Sequence, residues 1–205
     1  MSEKIYFYPV WLRLWHALNA ILFIILIITG VSMQYSDPQY PFIPFAAAVS
    51  IHNVCGVILS LNYLIFLLGN IFLPNGKYYK MKWKGLISRV KMQMHYYLVG
   101  LFKGEQPPFP LDRSRKFNPL QKLTYILAMY IGVPLVMITG WALLFPEIII
   151  EKVFGGSGIF ATIIFHIILG FLLSIFMIIH IYFSTIGARP SANFKAIVSG
   201  WHEGH

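Results

Sequence analysis

Four long apolar segments constrain this chain more than any other feature of its sequence. Crossing a hydrocarbon core of about 30 Å takes about 20 helical residues, and each segment is at least that long. In lipid every backbone polar group must be satisfied within the protein, so segments of this kind fold as helices. The segments cover residues 9–33, 46–73, 119–145 and 159–186. The sequence therefore predicts an all-α membrane protein, a bundle of four transmembrane helices, with residues 1–205 as one domain.

Composition supports placement in a membrane. Of the 205 residues, 58% are hydrophobic and the mean hydropathy is +0.68, which lies outside the range of ordinary soluble domains. The first segment is longer than the apolar region of a signal peptide, and residues 29–34 offer no small-x-small cleavage site. It is therefore expected to be retained as a transmembrane helix.

The positive charge is concentrated on one side of the predicted bundle. If the four helices alternate in direction, Lys152 is the only basic residue on the other side. An excess of Lys and Arg marks cytoplasmic loops, which predicts that both termini are cytoplasmic. A basic loop beside anionic lipid explains the net charge of +9 better than nucleic-acid binding does. The basic residues of that side are Lys4, Arg13, Lys77, Lys80, Lys82, Lys84, Arg89, Lys91, Lys103, Arg113, Arg115, Lys116, Lys122, Arg189 and Lys195.

The long connection between the second and third segments contains a further helical pattern. Over residues 83–102 apolar side chains recur at helical spacing opposite Lys84, Arg89 and Lys91, which predicts an amphipathic helix in the inner membrane interface. Cys55 is the only cysteine, so the sequence has neither an iron-sulfur ligand set nor a covalent haem attachment motif. Any haem must be held without a covalent bond to the chain.

Four histidines lie within the apolar segments. Ionisable residues inside a membrane span are rare and usually face the bundle interior with a partner. His166 and His180 are fourteen residues apart, which is about 21 Å of helical rise and about 40° short of whole turns, so they share one helix face. With the helix directions given above, His52 lies at about the depth of His166 and His16 at about the depth of His180.

Each of these pairs suits the two axial positions of a haem, because neutral imidazole is a good ligand for iron. Gly56 and Gly170 follow the outer histidines by one helical turn and leave room for a porphyrin or a neighbouring helix. Arg13, one turn before His16, is a candidate to reach a propionate of the inner haem, and Arg189 beyond the fourth segment is a second candidate.

Other interpretations of the histidines are weaker. A single histidine in a membrane is more often a core hydrogen-bonding group or a channel residue, but four at two matched depths favour haem. A zinc or proton transporter would require carboxylates near the midplane, and the acidic residues lie outside the segments. The remaining histidines, His95, His202 and His205, are expected to be solvated.

A weak internal repeat relates the two halves of the chain. Two hairpins of the same orientation would be related by an axis along the membrane normal. The matching positions are Thr29-Gly30 with Thr139-Gly140, and His52, Gly56 and Ser60 with His166, Gly170 and Ser174. Small residues agree by chance in many membrane helices, so the repeat only supports the pairing.

Several motifs resemble the cytochrome b subunits of membrane-bound respiratory enzymes: formate dehydrogenase gamma subunit, nickel-iron hydrogenase cytochrome b and thiosulfate reductase cytochrome b. The resemblance covers nearly the whole chain, and the tail from Thr185 to Trp201 is most similar to the thiosulfate reductase type. The motifs are Trp11-x-Arg13-x-x-His16, Thr29-Gly30, residues 117–122, Pro134-Leu135, Thr139-Gly140, His166 and His180.

The resemblance implies two haem b groups, an outer one ligated by His52 and His166 and an inner one ligated by His16 and His180. It also implies a menaquinone or ubiquinone site at the inner haem. That site would be built partly from Asn118 and Gln121, with Lys122 beside them. In the formate dehydrogenase version a glycine stands two residues after the asparagine, whereas this chain has Leu120. Considered without the resemblance, Asn118 would be a helix cap and Gln121 a solvated residue.

The expected function is that of an electron-transfer subunit and not of a complete enzyme. It would anchor a respiratory complex in the bacterial cytoplasmic membrane and exchange electrons between the quinone pool and an outer-face iron-sulfur or multihaem subunit, itself joined to a catalytic subunit. Asp37, Glu147 and Glu151 in the outer loops are the expected docking residues. The main alternative is a stand-alone superoxide:quinone oxidoreductase, and a weaker one is a transporter or anchor that uses its histidines for packing.

Overall fold

The computed structural model describes residues 4–153, 155–187 and 189–203. Among these residues four helical stretches are long and apolar enough to cross a membrane, Val10–Tyr35, Phe45–Phe72, Pro119–Leu144 and Gly158–Ser184. The predicted all-α bundle of four membrane helices is thus confirmed, with boundaries within two residues of those expected. The α-helices are α1 (Val10–Tyr35), α2 (Phe45–Phe72), α3 (Leu86–His95), α4 (Pro119–Leu127), α5 (Val133–Leu144), α6 (Gly158–Ser184) and α7 (Ala192–Ser199).

The third span is divided into α4 and α5 by one turn of π-helix, Ala128–Gly132. Pro134 lies just after that turn and has no backbone N–H to donate to the carbonyl of Tyr130 one turn earlier. The hydrogen-bond ladder widens where this donor is missing, as it does at many helix irregularities. A proline inside a helix usually produces a kink, and the structure places the irregularity in the turn before Pro134.

Between the second and third spans the chain forms a short 3-10 helix, Pro74–Tyr79, and then α3. Gly85, with φ of +70°, precedes α3 in the left-handed conformation that favours glycine. The helix continues as a π-helical turn over Tyr96–Gly100, so residues 86–100 are helical where 83–102 were expected to be. His95 at the end of α3 is exposed, as predicted.

Two short antiparallel sheets were not predicted. β1 (Lys4–Tyr6) pairs with β4 (Trp201–Glu203), and β2 (Lys152–Val153) pairs with β3 (Gly156–Ser157). The first sheet joins the beginning of the described chain to its end, with Ile5 opposite His202. His202 is consequently buried, and its ring centroid lies 5.8 Å from that of Phe7, so the prediction that it is solvated was wrong. His205 lies outside the described residues.

The described residues form two compact units. The first is drawn from Leu14–Leu67 and Ile131–His180 and contains all four membrane histidines, with Leu22, Cys55 and Leu59 forming an apolar core. The second consists of the remaining described residues.

Lys116 belongs to the core of the second unit, although the sequence placed it in a solvated basic loop. It is 3% exposed, and its Nζ donates to the backbone oxygen of Phe7 and to Asn75 Oδ1, each at 2.9 Å. Its Nζ also lies 4.4 Å from the ring centroid of Tyr8, within the range of a cation–π interaction. These neutral partners and the aromatic ring let the amine leave solvent, which sequence alone could not reveal.

Candidate functional site

The first unit brings the four membrane histidines together in the two expected pairs. The ring centroids of His52 and His166 are 6.2 Å apart, with their planes inclined at 72°. Those of His16 and His180 are 6.3 Å apart, with an inclination of 54°. All four side chains are half-buried. Each pair therefore consists of two imidazoles from different helices with very similar spacing.

That spacing matches two axial ligands of one metal atom. A first-row metal bound by imidazole lies about 2 Å from the nitrogen, and the nitrogen lies about 1 Å from the ring centroid, so two opposed rings would be about 6 Å apart. Among the described residues no group of three or more His, Cys, Asp or Glu side chains is placed to hold a metal ion. Two histidines per site suit a macrocycle that supplies four further nitrogens, as haem does.

Each histidine of the His52–His166 pair is held by a buried threonine from the preceding span. Thr29 Oγ1 on α1 lies 2.9 Å from Nδ1 of His52, and Thr139 Oγ1 on α5 lies 2.9 Å from Nδ1 of His166. The contacts engage Nδ1 and leave Nε2 of each ring as the nitrogen that can bind a metal. This is the arrangement in which metal-binding histidines usually occur, with the second nitrogen bonded to the protein.

Glycines permit the close approach of these rings and leave space beside them. A Cβ added at Gly30 would lie 3.6 Å from Cε1 of His52, and one added at Gly140 would lie 3.2 Å from Cε1 of His166. By contrast, a Cβ added at Gly56 or Gly170 would meet no heavy atom within 4 Å. The protein thus leaves room one turn beyond each histidine, where the sequence predicted that a flat macrocycle would approach.

The internal repeat between the two halves of the chain includes two serines but does not include Trp141. Ser60 Oγ donates to the backbone oxygen of Gly56 at 2.9 Å, and Ser174 Oγ donates to that of Gly170 at 2.7 Å. Ser60 also accepts a hydrogen bond of 3.0 Å from Nε1 of Trp141, which joins α2 to α5. The matching position after Gly30 is Val31, which has no such donor.

Next to His16, an aromatic contact joins α1 to α2. Its neighbour Trp15 is buried and stacks on Phe66, with ring centroids 4.6 Å apart, while Asn62 Nδ2 donates to the backbone oxygen of Trp15 at 3.3 Å. The Trp15 Nε1 atom is buried and has no hydrogen-bond partner among the described residues. A buried donor without an acceptor is costly, and a carboxylate of a bound group would satisfy it.

His180 is supported from its own helix. Phe176, one turn earlier on α6, lies nearly parallel to its ring, with centroids 5.9 Å apart at 20°. The two arginines predicted to reach haem propionates differ in environment. Arg13 is half-buried on α1, whereas Arg189 is exposed before α7.

The three residues predicted to form a quinone site lie at the start of α4. Asn118 Oδ1 accepts from the backbone N–H of Gln121 at 2.9 Å, and the side chain of Gln121 accepts from the backbone N–H of Asn118 at 3.2 Å. This reciprocal capping box satisfies two backbone donors at the helix terminus. Asn118 Nδ2 also donates to the hydroxyl of Tyr97 at 2.8 Å, and Lys122 Nζ donates to the backbone oxygen of Lys80 at 3.4 Å.

The contacts of Thr29 and Thr139 with the histidines were missed by the sequence analysis. The signal was present, because both threonines stand in a Thr-Gly dipeptide that recurs near the same end of two spans. The dipeptide alone indicates only a weak repeat, because spacing within one helix does not reveal which side chain of the next helix it meets.

Comparison with known proteins gives results for nearly the entire chain. A family model described as prokaryotic cytochrome b561 matches residues 7–200, which include all four spans and both histidine pairs. A protein of Escherichia coli (strain K12) named "Putative cytochrome YdhU" is 36% identical to the chain over 201 residues, a match that covers 98% of this chain and 76% of that protein. No solved structure matches the chain.

Proposed function

This chain belongs to the prokaryotic cytochrome b561 family, and from that premise we propose that it is the di-haem subunit that links a respiratory oxidoreductase complex to membrane quinone. Membership of the family makes the chain a multi-pass membrane protein of electron transport that binds haem b. It also confirms the resemblance to cytochrome b subunits at the level of the family. The closer resemblance to the thiosulfate reductase type stays a prediction.

The observation that carries the proposal is the presence of two histidine pairs with similar ring separations. Ring separations of 6.2 and 6.3 Å support two sites of bis-imidazole ligation, one formed by His52 and His166 and the other by His16 and His180. His166 and His180 are about 21 Å apart along one helix, so the two sites would lie at different depths of the membrane. When bound, haem b would supply a one-electron couple at each depth.

The side chains around the sites would each have a distinct task. Thr29 and Thr139 orient the imidazoles of His52 and His166, while Gly56 and Gly170 leave space for the macrocycle. Trp15 Nε1 would donate a hydrogen bond to a propionate near His16, where Arg13 on the same helix would add positive charge. Arg189 is a candidate for a propionate on the same side of the membrane.

The quinone would react on the side of the basic loop, near the start of α4. Amide groups and a cation at a membrane interface can bind quinone carbonyl oxygens, and Asn118, Gln121 and Lys122 provide them. The side chains of Gln121 and Lys122 are half-buried, so both remain partly accessible to a ligand. The quinone would be menaquinone or ubiquinone.

The electron-transfer partner would dock at the opposite end of the bundle. Asp37, Glu147 and Glu151 are exposed there and would face an iron-sulfur or multihaem subunit, which in turn would contact a catalytic subunit. By the distribution of Lys and Arg, both termini would be cytoplasmic in a bacterial inner membrane. Charge displacement would then accompany electron flow between the two faces.

The deciding experiment is a visible reduced-minus-oxidised spectrum of the purified chain with extraction and quantification of haem. We expect b-type bands and about two haems per chain. His180→Ala should remove the haem of the His16–His180 site and keep the other. His95→Ala, which changes an exposed histidine on α3, should leave both.

A chain without b-type bands, or a His180→Ala spectrum identical to that of the unchanged protein, would refute the di-haem assignment. The partner is tested separately by co-purification from native membranes with quinol-driven reduction of the haems. A chain that is isolated alone and reduces quinone with superoxide would instead support the stand-alone superoxide:quinone oxidoreductase.

A further inference from the structure

Two threonines of the first unit occupy equivalent positions around one histidine pair. Thr29 and Thr139 are 1% and 8% exposed, and each places Oγ1 at 2.9 Å from the Nδ1 atom of its histidine. Each threonine lies on the span that precedes the histidine in the chain, α1 for His52 and α5 for His166. The two histidines of this pair are thus supported in the same way from opposite halves of the sequence.

The remaining contacts of the threonines favour one direction for these hydrogen bonds. Thr29 Oγ1 is also 2.8 Å from the backbone oxygen of Ile25, and Thr139 Oγ1 is 3.0 Å from that of Leu135. A carbonyl oxygen can only accept, so the backbone offers a partner to the single hydroxyl proton of each threonine. With the proton directed there, Oγ1 accepts from the histidine, which corresponds to the Nδ1–H tautomer of both rings.

The glycine that follows each threonine lies against the imidazole ring. A Cβ at Gly140 would lie 3.2 Å from Cε1 of His166, closer than ordinary van der Waals contact, and one at Gly30 would lie 3.6 Å from Cε1 of His52. The Thr-Gly dipeptide therefore bonds one nitrogen of the imidazole and admits the adjacent carbon. The hydrogen bond at Nδ1 and the contact at Cε1 both restrict rotation of the imidazole about its Cβ–Cγ bond.

We propose that Thr29 and Thr139 are positioning residues that lower the reduction potential of the iron bound between His52 and His166. This inference rests on the proposed function, because it requires haem at that pair. An imidazole whose Nδ1–H donates to an acceptor is more basic at Nε2, and a more basic ligand favours ferric over ferrous iron.

The second hydrogen bond of each threonine, from its hydroxyl to the backbone, increases the basicity of the imidazole further. In each case the chain of hydrogen bonds runs from Nδ1–H to Oγ1 and from the hydroxyl to a backbone carbonyl. Consecutive bonds of this kind polarise one another in a medium of low dielectric constant. Both axial ligands receive the same support, so the two threonines should contribute about equally to the potential of this site.

The experiment is a potentiometric titration of both haems in the complete chain, followed by b-type absorbance. Thr29→Val and Thr139→Val keep the shape of the side chain and remove its acceptor. At a fixed applied potential, each variant should raise the ferrous-to-ferric ratio of the His52–His166 haem about threefold to tenfold. This corresponds to an increase of about 30–60 mV in its reduction potential, at 59 mV per tenfold change for one electron. The double variant should show the sum of the two shifts.

The conservative variants and a matched control separate the hydroxyl from packing. Thr29→Ser and Thr139→Ser keep the acceptor and should retain the potential of the unchanged protein. Thr124→Val is the control, because Thr124 Oγ1 donates to the backbone oxygens of Leu120 and Gln121 at 3.1 Å each and has no described contact with a histidine. It should leave both potentials unchanged.

Three outcomes would overturn the inference. One is a Thr→Val protein that retains both haems with unchanged potentials, and another is a downward shift. If the valine variants lose the haem, the serine variants decide the matter. Haem bound at the original potential in the serine variants supports the proposal. Loss of haem in the serine variants as well is the third outcome, because it would show that the whole threonine side chain is needed for haem binding and does not act through its hydroxyl on the potential. An unchanged protein without two b-type haems would refute the proposed function instead.

Discussion

The imidazole planes of His52 and His166 are inclined at 72°, whereas those of His16 and His180 are inclined at 54°. For an iron bound between two imidazoles, this angle governs the difference in energy between the two iron d orbitals that overlap with the π systems of the rings. Parallel rings separate those orbitals in energy, and perpendicular rings make them nearly equal. We therefore expect the ferric His52–His166 site to give the more anisotropic low-spin electron paramagnetic resonance signal of the two.

The two signals can be separated with single-site variants. His180→Ala should leave the more anisotropic signal, with its largest g value unchanged, and His52→Ala should leave the less anisotropic one. The reverse assignment, or two signals of equal anisotropy, would show that the ring orientations in the structure are not those of the haem-bound protein.

The pairing of the histidines was accessible from the sequence because it depends on long-range regularity. Fourteen residues place His166 and His180 on one helix face, and the alternation of four spans matches His52 and His16 to them in depth. Helix length and periodicity determine both. The structure brings the same pairs together at 6.2 and 6.3 Å, and their role as iron ligands stays a prediction.

Other features were inaccessible because they depend on contacts between distant segments. The burial of Lys116 needs the backbone of Phe7 and the side chain of Asn75. The pairing of β1 with β4 joins two segments of three residues each, which is too short for a clear alternating pattern. Trp15 belongs to a residue type that is enriched at membrane interfaces, yet it is buried against Phe66.

Gly56 and Gly170 offer a direct test of where the macrocycles lie. The protein leaves space for a Cβ at both positions, and alanine is favoured over glycine within a helix by about 1 kcal/mol. Gly56→Ala and Gly170→Ala should therefore stabilise the haem-free chain, while haem content falls because the methyl group meets the porphyrin. Thermal unfolding of the apo-protein and the haem-to-protein ratio give the two readouts. Unchanged haem content in both variants would place the macrocycle elsewhere.

Asn118 has a structural role that must be separated from quinone binding. Asn118→Ala removes the cap of α4 and should cost about 1 kcal/mol of stability. Asn118→Asp keeps the oxygen that accepts from Gln121 and loses the amide that donates to Tyr97. We expect Asn118→Asp to unfold like the unchanged chain and to be reduced more slowly by quinol, as judged by stopped-flow absorbance of the haems. Quinol reduction at the normal rate would restrict Asn118 to capping.

The buried amine of Lys116 should make stability depend on pH. Burial lowers its pKa from the ordinary 10.5 to about 7. Above pH 7 the native state releases this proton, whereas the unfolded chain retains it up to about its ordinary pKa, so the unfolded state binds more protons and stability rises with pH. Below pH 7 both states are protonated at Lys116, and its contribution to the slope disappears.

Replacing the amine isolates this contribution from the other groups that titrate in the same range. Lys116→Met keeps an unbranched side chain without a charge and should remove the rise in unfolding temperature that we expect for the unchanged chain between pH 7 and pH 10. Lys84→Met, at an exposed position before α3, is the matched control and should preserve that rise. The measurement is thermal unfolding of the detergent-solubilised chain across this pH range. Equal slopes for the unchanged chain and Lys116→Met would mean that Lys116 remains charged in its buried position, held by the carbonyl of Phe7, the Asn75 side chain and the Tyr8 ring.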